Sequence, residues 1–139
     1  MGSPVRHLTL ARTKPHFYNT TLLGAANISA KVTNNGKPAA MYLLLAEMTA
    51  RQSATAEVEH ILRSLVEMTR DEPDTVTYNA HRHQHDASRF LVYELYKDRG
   101  ACDAHLSRDP IKGLIARLQP LLVAPPHISC CTTIAVMEI

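Results

Sequence analysis

A change of periodicity constrains this chain more than any other feature. Val58, Ile61, Leu62, Leu65 and Val66 recur at helical spacing and form one apolar stripe. Past Pro73, which stops that helix, alternation takes over. Thr75 to Gln84 and Arg89 to Lys97 read as two strands joined by His85-Asp86-Ala87-Ser88, a hairpin. A chain that passes from period 3.6 to period 2 within twenty residues has to pack a helix on a sheet.

The remaining segments complete the order. Met41 to Thr49 is a short apolar run whose length suits a buried strand. Ser53 offers a cap to the helix that follows, with Glu57 near its positive end and Arg63, Glu67 and Arg70 on its outer face. Asp98 caps a second, short helix ending near Ser107. Asp109-Pro110 opens a third, with Ile111, Leu114, Ile115 and Leu118 as its stripe and Pro120 as its stop. Pro125-Pro126 is a rigid connector, and His127 to Glu138 is a closing β-branched strand. The order β-α-β-β-α-α-β is ferredoxin-like, an α+β fold with an antiparallel sheet and its second helix broken in two. Helices cover one sheet face. Leu91, Tyr93 and Leu95 share the other parity, and a bare apolar face of that kind is covered by a second copy, so a homodimer is expected.

The 139 residues suit one domain with an appendage. Charge marks the join. Residues 1–46 carry five Lys/Arg and no acid, whereas residues 47–139 hold all 13 acids. The expected division is a basic N-terminal extension over 1–40 and a folded domain over 41–139. The extension has the Arg-rich, acid-free character of an organelle transit peptide or of a plain terminal arm. Within it, Ile28 to Thr33 alternates and runs into the turn Asn34-Asn35-Gly36. The net charge of +2 gives no case for nucleic acid, and no apolar run reaches membrane-spanning length. Cysteines number three, and Cys130 and Cys131 as strand neighbours point to opposite faces. Reduced thiols in a reducing, cytoplasmic compartment follow.

Several side chains are candidates for chemistry. Phe90, Val92, Glu94 and Tyr96 share one strand face. Two readings fit Glu94. It holds or positions a proton, or it pairs with a base such as Arg82 and stitches the hairpin. His105 lies on the apolar side of its helix and faces Tyr96, either as a general base or as a hydrogen-bonded core histidine. His81, His83 and His85 alternate, which suits a metal site or a solvated hairpin end, but no third ligand type is signposted. Cys102 reads as a small core thiol. The chain has no Gly-rich phosphate loop, Ser-centred elbow or Cys-x-x-Cys.

Glu72-Pro73, Tyr78, His81-Arg82, Phe90, Glu94 and the run Asp103-Ala104-His105-Leu106, in this strand order, resemble the antibiotic biosynthesis monooxygenase family. The resemblance implies a dimeric α+β barrel. It also implies oxidation of a small phenolic, quinol or polyketide-like substrate by O2 with no metal, flavin or haem cofactor. Under it His105 is the proton acceptor, Tyr96 and Glu94 orient the substrate, and His81, Tyr78, Phe90 and Val92 bind it. Similar folds also include isomerases and members without known activity, so an isomerase or a non-catalytic dimeric binding protein is the alternative. Three positions depart from the family pattern: Tyr96 where Trp is common, Pro110-Ile111 where His-Phe is common, and Asp74 where Gly is usual.

Overall fold

The computed structural model describes residues 40–137. Residues 1–39 of the basic extension, with the strand expected over Ile28 to Thr33 and the turn Asn34-Asn35-Gly36, lie outside the described residues, as does Glu138. The rest follows the expected order: β1 (Tyr42–Thr49), α1 (Thr55–Thr69), β2 (Thr75–Arg82), β3 (Arg89–Tyr96), α2 (Arg99–Ser107), α3 (Asp109–Leu118) and β4 (His127–Thr132). The strands form one sheet in the order β2-β3-β1-β4, with every neighbouring pair antiparallel. This is the ferredoxin-like arrangement.

The periodicities place the core. On the sheet, Leu44, Ala46 and Met48 of β1 lie beside Phe90 and Val92 of β3 and are buried with them. Helix α1 contributes Val58, Ile61, Leu62 and Leu65, each almost without solvent contact, and α3 contributes Ile111, Leu114 and Leu118. Burying each such side chain contributes about 2 kcal/mol. The opposite parity carries Leu43 and Leu45 across from Leu95 and Tyr93, with Leu91 beyond, and none of these five joins the core cluster.

Four boundaries differ from expectation, each for a local reason. A 3-10 turn over Gln52–Ala54 precedes α1 and absorbs Ser53, so Ala54 occupies the cap position and no side chain caps it. Helix α3 has Arg108 at its cap, which puts Asp109 in the first turn, where the helix dipole still favours an acid. β2 ends at Arg82 and the hairpin loop starts at His83, whose N–H bonds to the Arg89 carbonyl at 2.8 Å. β4 stops at Thr132, opposite Tyr42, the first residue of β1, with one further bond from the Thr133 N–H to the Met41 carbonyl at 3.0 Å. Asp98 caps α2 as expected, its side chain accepting from the Ala101 N–H at 2.8 Å.

Candidate active site

The strand half of the site comes from parity. In register, Glu94 of β3 sits opposite Tyr78 of β2, and Tyr96 follows on the same face of β3. Glu94 is 6% exposed and Tyr96 is fully buried. The Tyr96 hydroxyl donates to Glu94 Oε2 at 2.6 Å. A buried carboxylate loses hydration and is driven toward its neutral form. Burial pushes Glu94 up to about 7, against the pull of the hydrogen bonds from Tyr96 and Tyr78. Both tyrosines are in turn held well above the usual phenol range, first by burial and then by the neighbouring Glu94 charge.

The helix half comes from α2. Its inward side chains are Cys102 and His105. His105 is 1% exposed and its ring lies between two phenols, with centroids 5.2 Å from Tyr78 and 5.6 Å from Tyr96. Its Nδ1 is 3.0 Å from each carboxylate oxygen of Glu72, in the loop between α1 and β2. Glu72 also accepts from Thr75 Oγ1 at 2.8 Å and pairs with Arg108. Burial alone would raise the Glu72 carboxyl, but the hydrogen bonds from His105 and Thr75 outweigh it and hold Glu72 below the usual range. The other ring nitrogen, Nε2, is buried without a hydrogen-bond partner. Cys102 is buried as a core thiol, and desolvation followed by the Glu94 charge pushes it up to about 11.

Tyr78, Glu94, Tyr96 and His105 thus meet in one cluster. Phe90 and Val92 share its sheet face farther along β3, inside the apolar core. His81 does not join them. It stands opposite Leu91, on the other face of the sheet, and is exposed. The pairing considered between Glu94 and Arg82 is absent; Arg82 bonds to Glu59 of α1 and lies over the Phe90 ring. The His83 and His85 rings meet edge to face at 6.2 Å, and His83 Nδ1 accepts the His85 N–H. No group of three metal-ligating side chains occurs among the described residues. Two cavities, of about 390 and 700 Å³, open near the His81–Phe90 end of the hairpin, and a third of about 430 Å³ lies by Arg51 and Pro125; none is lined by Glu94, Tyr96 or His105. A smaller cavity of about 260 Å³ beside α1 reaches Tyr78. No described helix is long and apolar enough to cross a membrane.

Glu72 is the residue that sequence reasoning left out of the site. The signal was there, since an acid immediately before Pro73 and a histidine in the family-like run were both noted. What sequence lacked was the 33-residue separation closed by the fold.

A buried imidazole with one nitrogen engaged by a carboxylate and the other left open, beside phenols and a near-neutral carboxyl, is equipped to take up and return a proton. Similarity to known proteins fits that description of the fold. The family model for antibiotic biosynthesis monooxygenase matches residues 41–117, more than half of the chain. No curated protein matches it. Among solved structures, a Mycobacterium tuberculosis protein aligns at 19% identity with a TM-score of 0.66, covering 70% of this chain and 99% of its own. A Pseudomonas aeruginosa protein aligns at 25% identity with a TM-score of 0.65, covering 72% and 100%. A structure described as an antibiotic biosynthesis monooxygenase aligns at 25% identity with a TM-score of 0.61, covering 69% and 99%. With the family model spanning β1 to the end of α3, the chain belongs to the antibiotic biosynthesis monooxygenase family.

Proposed function

We propose that this chain is a monooxygenase that oxidises a small phenol or quinol with O2, the substrate itself supplying the electrons and no metal, flavin or haem taking part. The observation that carries the reading is the buried, unpartnered Nε2 of His105 among Tyr78, Tyr96 and Glu94. A buried polar atom left without a partner is uncommon and calls for a function.

In this reading His105 Nε2 accepts the phenolic proton. The phenolate gives one electron to O2, and superoxide recombines with the ring radical to form a C–O bond. The imidazolium returns its proton to the peroxide. Loss of the ring C–H proton with cleavage of the O–O bond then gives the quinone and one water. One oxygen atom stays in the product, the other leaves as water, and all four electrons come from the ring. Burial keeps the intermediates from solvent. Glu94 and the tyrosines orient the substrate through hydrogen bonds.

The test is oxygen consumption with a panel of phenols and hydroquinones, under air and under nitrogen. We expect uptake with at least one of them, product formation only under air, and loss of uptake in His105→Ala. Turnover unchanged under nitrogen would identify an isomerase, and no turnover with any substrate would leave a binding protein. The binding reading has one observation in its favour: the cluster's side chains pack on one another.

A homodimer through the outer sheet face belongs to the same proposal. Leu43, Leu45, Leu91 and Tyr93 are half-buried and form a contiguous apolar set outside the core cluster, with Leu95 already buried beside them, as docking of a second copy on this face would require. Light scattering is expected to give twice the chain mass, and Leu45→Glu with Tyr93→Lys to halve it.

A further inference from the structure

The carboxylate that meets His105 is placed with more care than a chance ion pair. Both Glu72 oxygens stand 3.0 Å from Nδ1, a second donor comes from Thr75, and Arg108 is the third. These partners come from three separate places. Glu72 lies in the loop after α1, Thr75 opens β2, and Arg108 is the residue on which α2 ends and α3 begins. Arg108 also donates to the Met68 carbonyl at 3.0 Å, which ties it to the end of α1.

We propose that Glu72 is a positioning residue for His105, fixing the neutral imidazole with its proton on Nδ1 and leaving the Nε2 lone pair as the acceptor inside the fold. A carboxylate accepts and cannot donate, so the ring nitrogen facing it carries the proton. A neutral imidazole has one N–H, so Nε2 is then the basic nitrogen. The unpartnered state of Nε2 agrees with this. A lone pair is easier to leave unpaired in the interior than an N–H. The groups packed around the ring point the same way. Tyr78 and Tyr96 pack tilted against the ring, and the Glu94 carboxylate of β3 accepts from the Tyr96 hydroxyl, so the carboxylate bonded to Nδ1 is that of Glu72. Arg108 pairs with Glu72 Oε1, one of the two oxygens that face Nδ1, and helps to hold the carboxylate in place.

The tautomer itself rests on the geometry. Its kinetic consequence rests on the oxygenase reading above, and the two are separable. The first measurement is a nitrogen–proton correlation spectrum of the full chain with 15N-histidine, the His105 signals assigned by their loss in His105→Asn. We expect a proton on Nδ1 that exchanges slowly with water and an unprotonated Nε2. A proton on Nε2, or on both nitrogens, overturns the proposal. In Glu72→Gln the neutral amide accepts either tautomer, and a measurable Nε2–H population is expected; an unchanged ring also overturns it. Arg108→Met leaves both His105–Glu72 contacts and should keep the wild-type tautomer, and a switch there argues against Glu72 as the determinant. Should Glu72→Gln fail to fold, the wild-type and Arg108→Met spectra still decide. With any phenol that is turned over, Glu72→Gln is expected to lower kcat about 100-fold and leave KM nearly unchanged. If no phenol is turned over, the oxygenase reading falls and the tautomer result stands.

Discussion

The two ends of the β2–β3 ladder both gather polar and titratable side chains, under opposite conditions. At one end Tyr78, Glu94, Tyr96 and His105 are packed against each other behind α2. At the other, His81, His83, Arg82 and Arg89 surround an open cleft of about 390 Å³ with His127. A glutamate at each end shows what the difference does. Glu94 is pushed up to about 7, chiefly by burial. Glu59, partly exposed beside the open end, is held below the usual carboxylate range by hydrogen bonds from Arg63 and then Arg82. The residue type is the same and the shifts oppose, because one carboxyl has lost its water and the other has gained cations. The carboxyl raised toward neutrality belongs to the closed end.

The largest expected effect tests whether that end is built as a core. Tyr96→Ala should destabilise the protein by about 4 kcal/mol, because a fully buried aromatic leaves a cavity. Arg89→Ala, at the exposed end, should stay within about 0.5 kcal/mol. Urea unfolding with an unchanged slope measures both. Similar midpoint shifts for the two variants would erase the contrast.

Next in size is the pH dependence of Glu94. Its folded pKa of about 7 lies above the ordinary 4.5, so folding favours the protonated form. The stability it allows is fully present below 4.5 and is lost as pH rises toward and through 7. The shift corresponds to about 3 kcal/mol between the two limits. Glu94→Gln cannot ionise. Its stability relative to the wild type should therefore rise across that window and level off above it. Glu72 acts in the opposite direction. Its lowered pKa gives stability that is lost as pH falls below 4.5, outside the Glu94 window. A flat difference between wild type and Glu94→Gln would mean that Glu94 is solvated and that the closed end is open.

This contrast was partly legible in the sequence. Period two put Glu94 and Tyr96 with Phe90 and Val92, and the α2 stripe turned His105 inward. Both are local rules, and local rules survive folding. The placement of His81 beside them came from the family pattern. The three-residue step from Tyr78 to His81 sends the two to opposite sheet faces, so strand parity already spoke against it. The Ser53 cap was lost to a 3-10 turn, an alternative that the same short sequence satisfies. The pairing of Glu72 was illegible for a different reason. Its contact with His105 exists only once α2 has docked, and no periodicity encodes a loop carboxylate meeting a helix 33 residues away.

The smallest expected effect concerns how the two ends respond to salt. Glu59→Gln removes the charge that pairs with Arg82 and Arg63 and leaves Arg82 over the Phe90 ring. Exposed pairs are weak and screened, and at 1 M salt the screening length falls to about 3 Å. The difference in melting temperature between wild type and Glu59→Gln should be small in dilute buffer and vanish in 1 M NaCl. Glu72 has a side chain only 14% exposed, so ions reach it poorly, and the difference for Glu72→Gln should persist in the same salt. The sign of the comparison matters more than its size. A Glu59 effect that resists salt as the Glu72 effect does would mean that a partner or the N-terminal extension shields the hairpin end. The cleft there would then be a second enclosed site, with its own claim to the substrate.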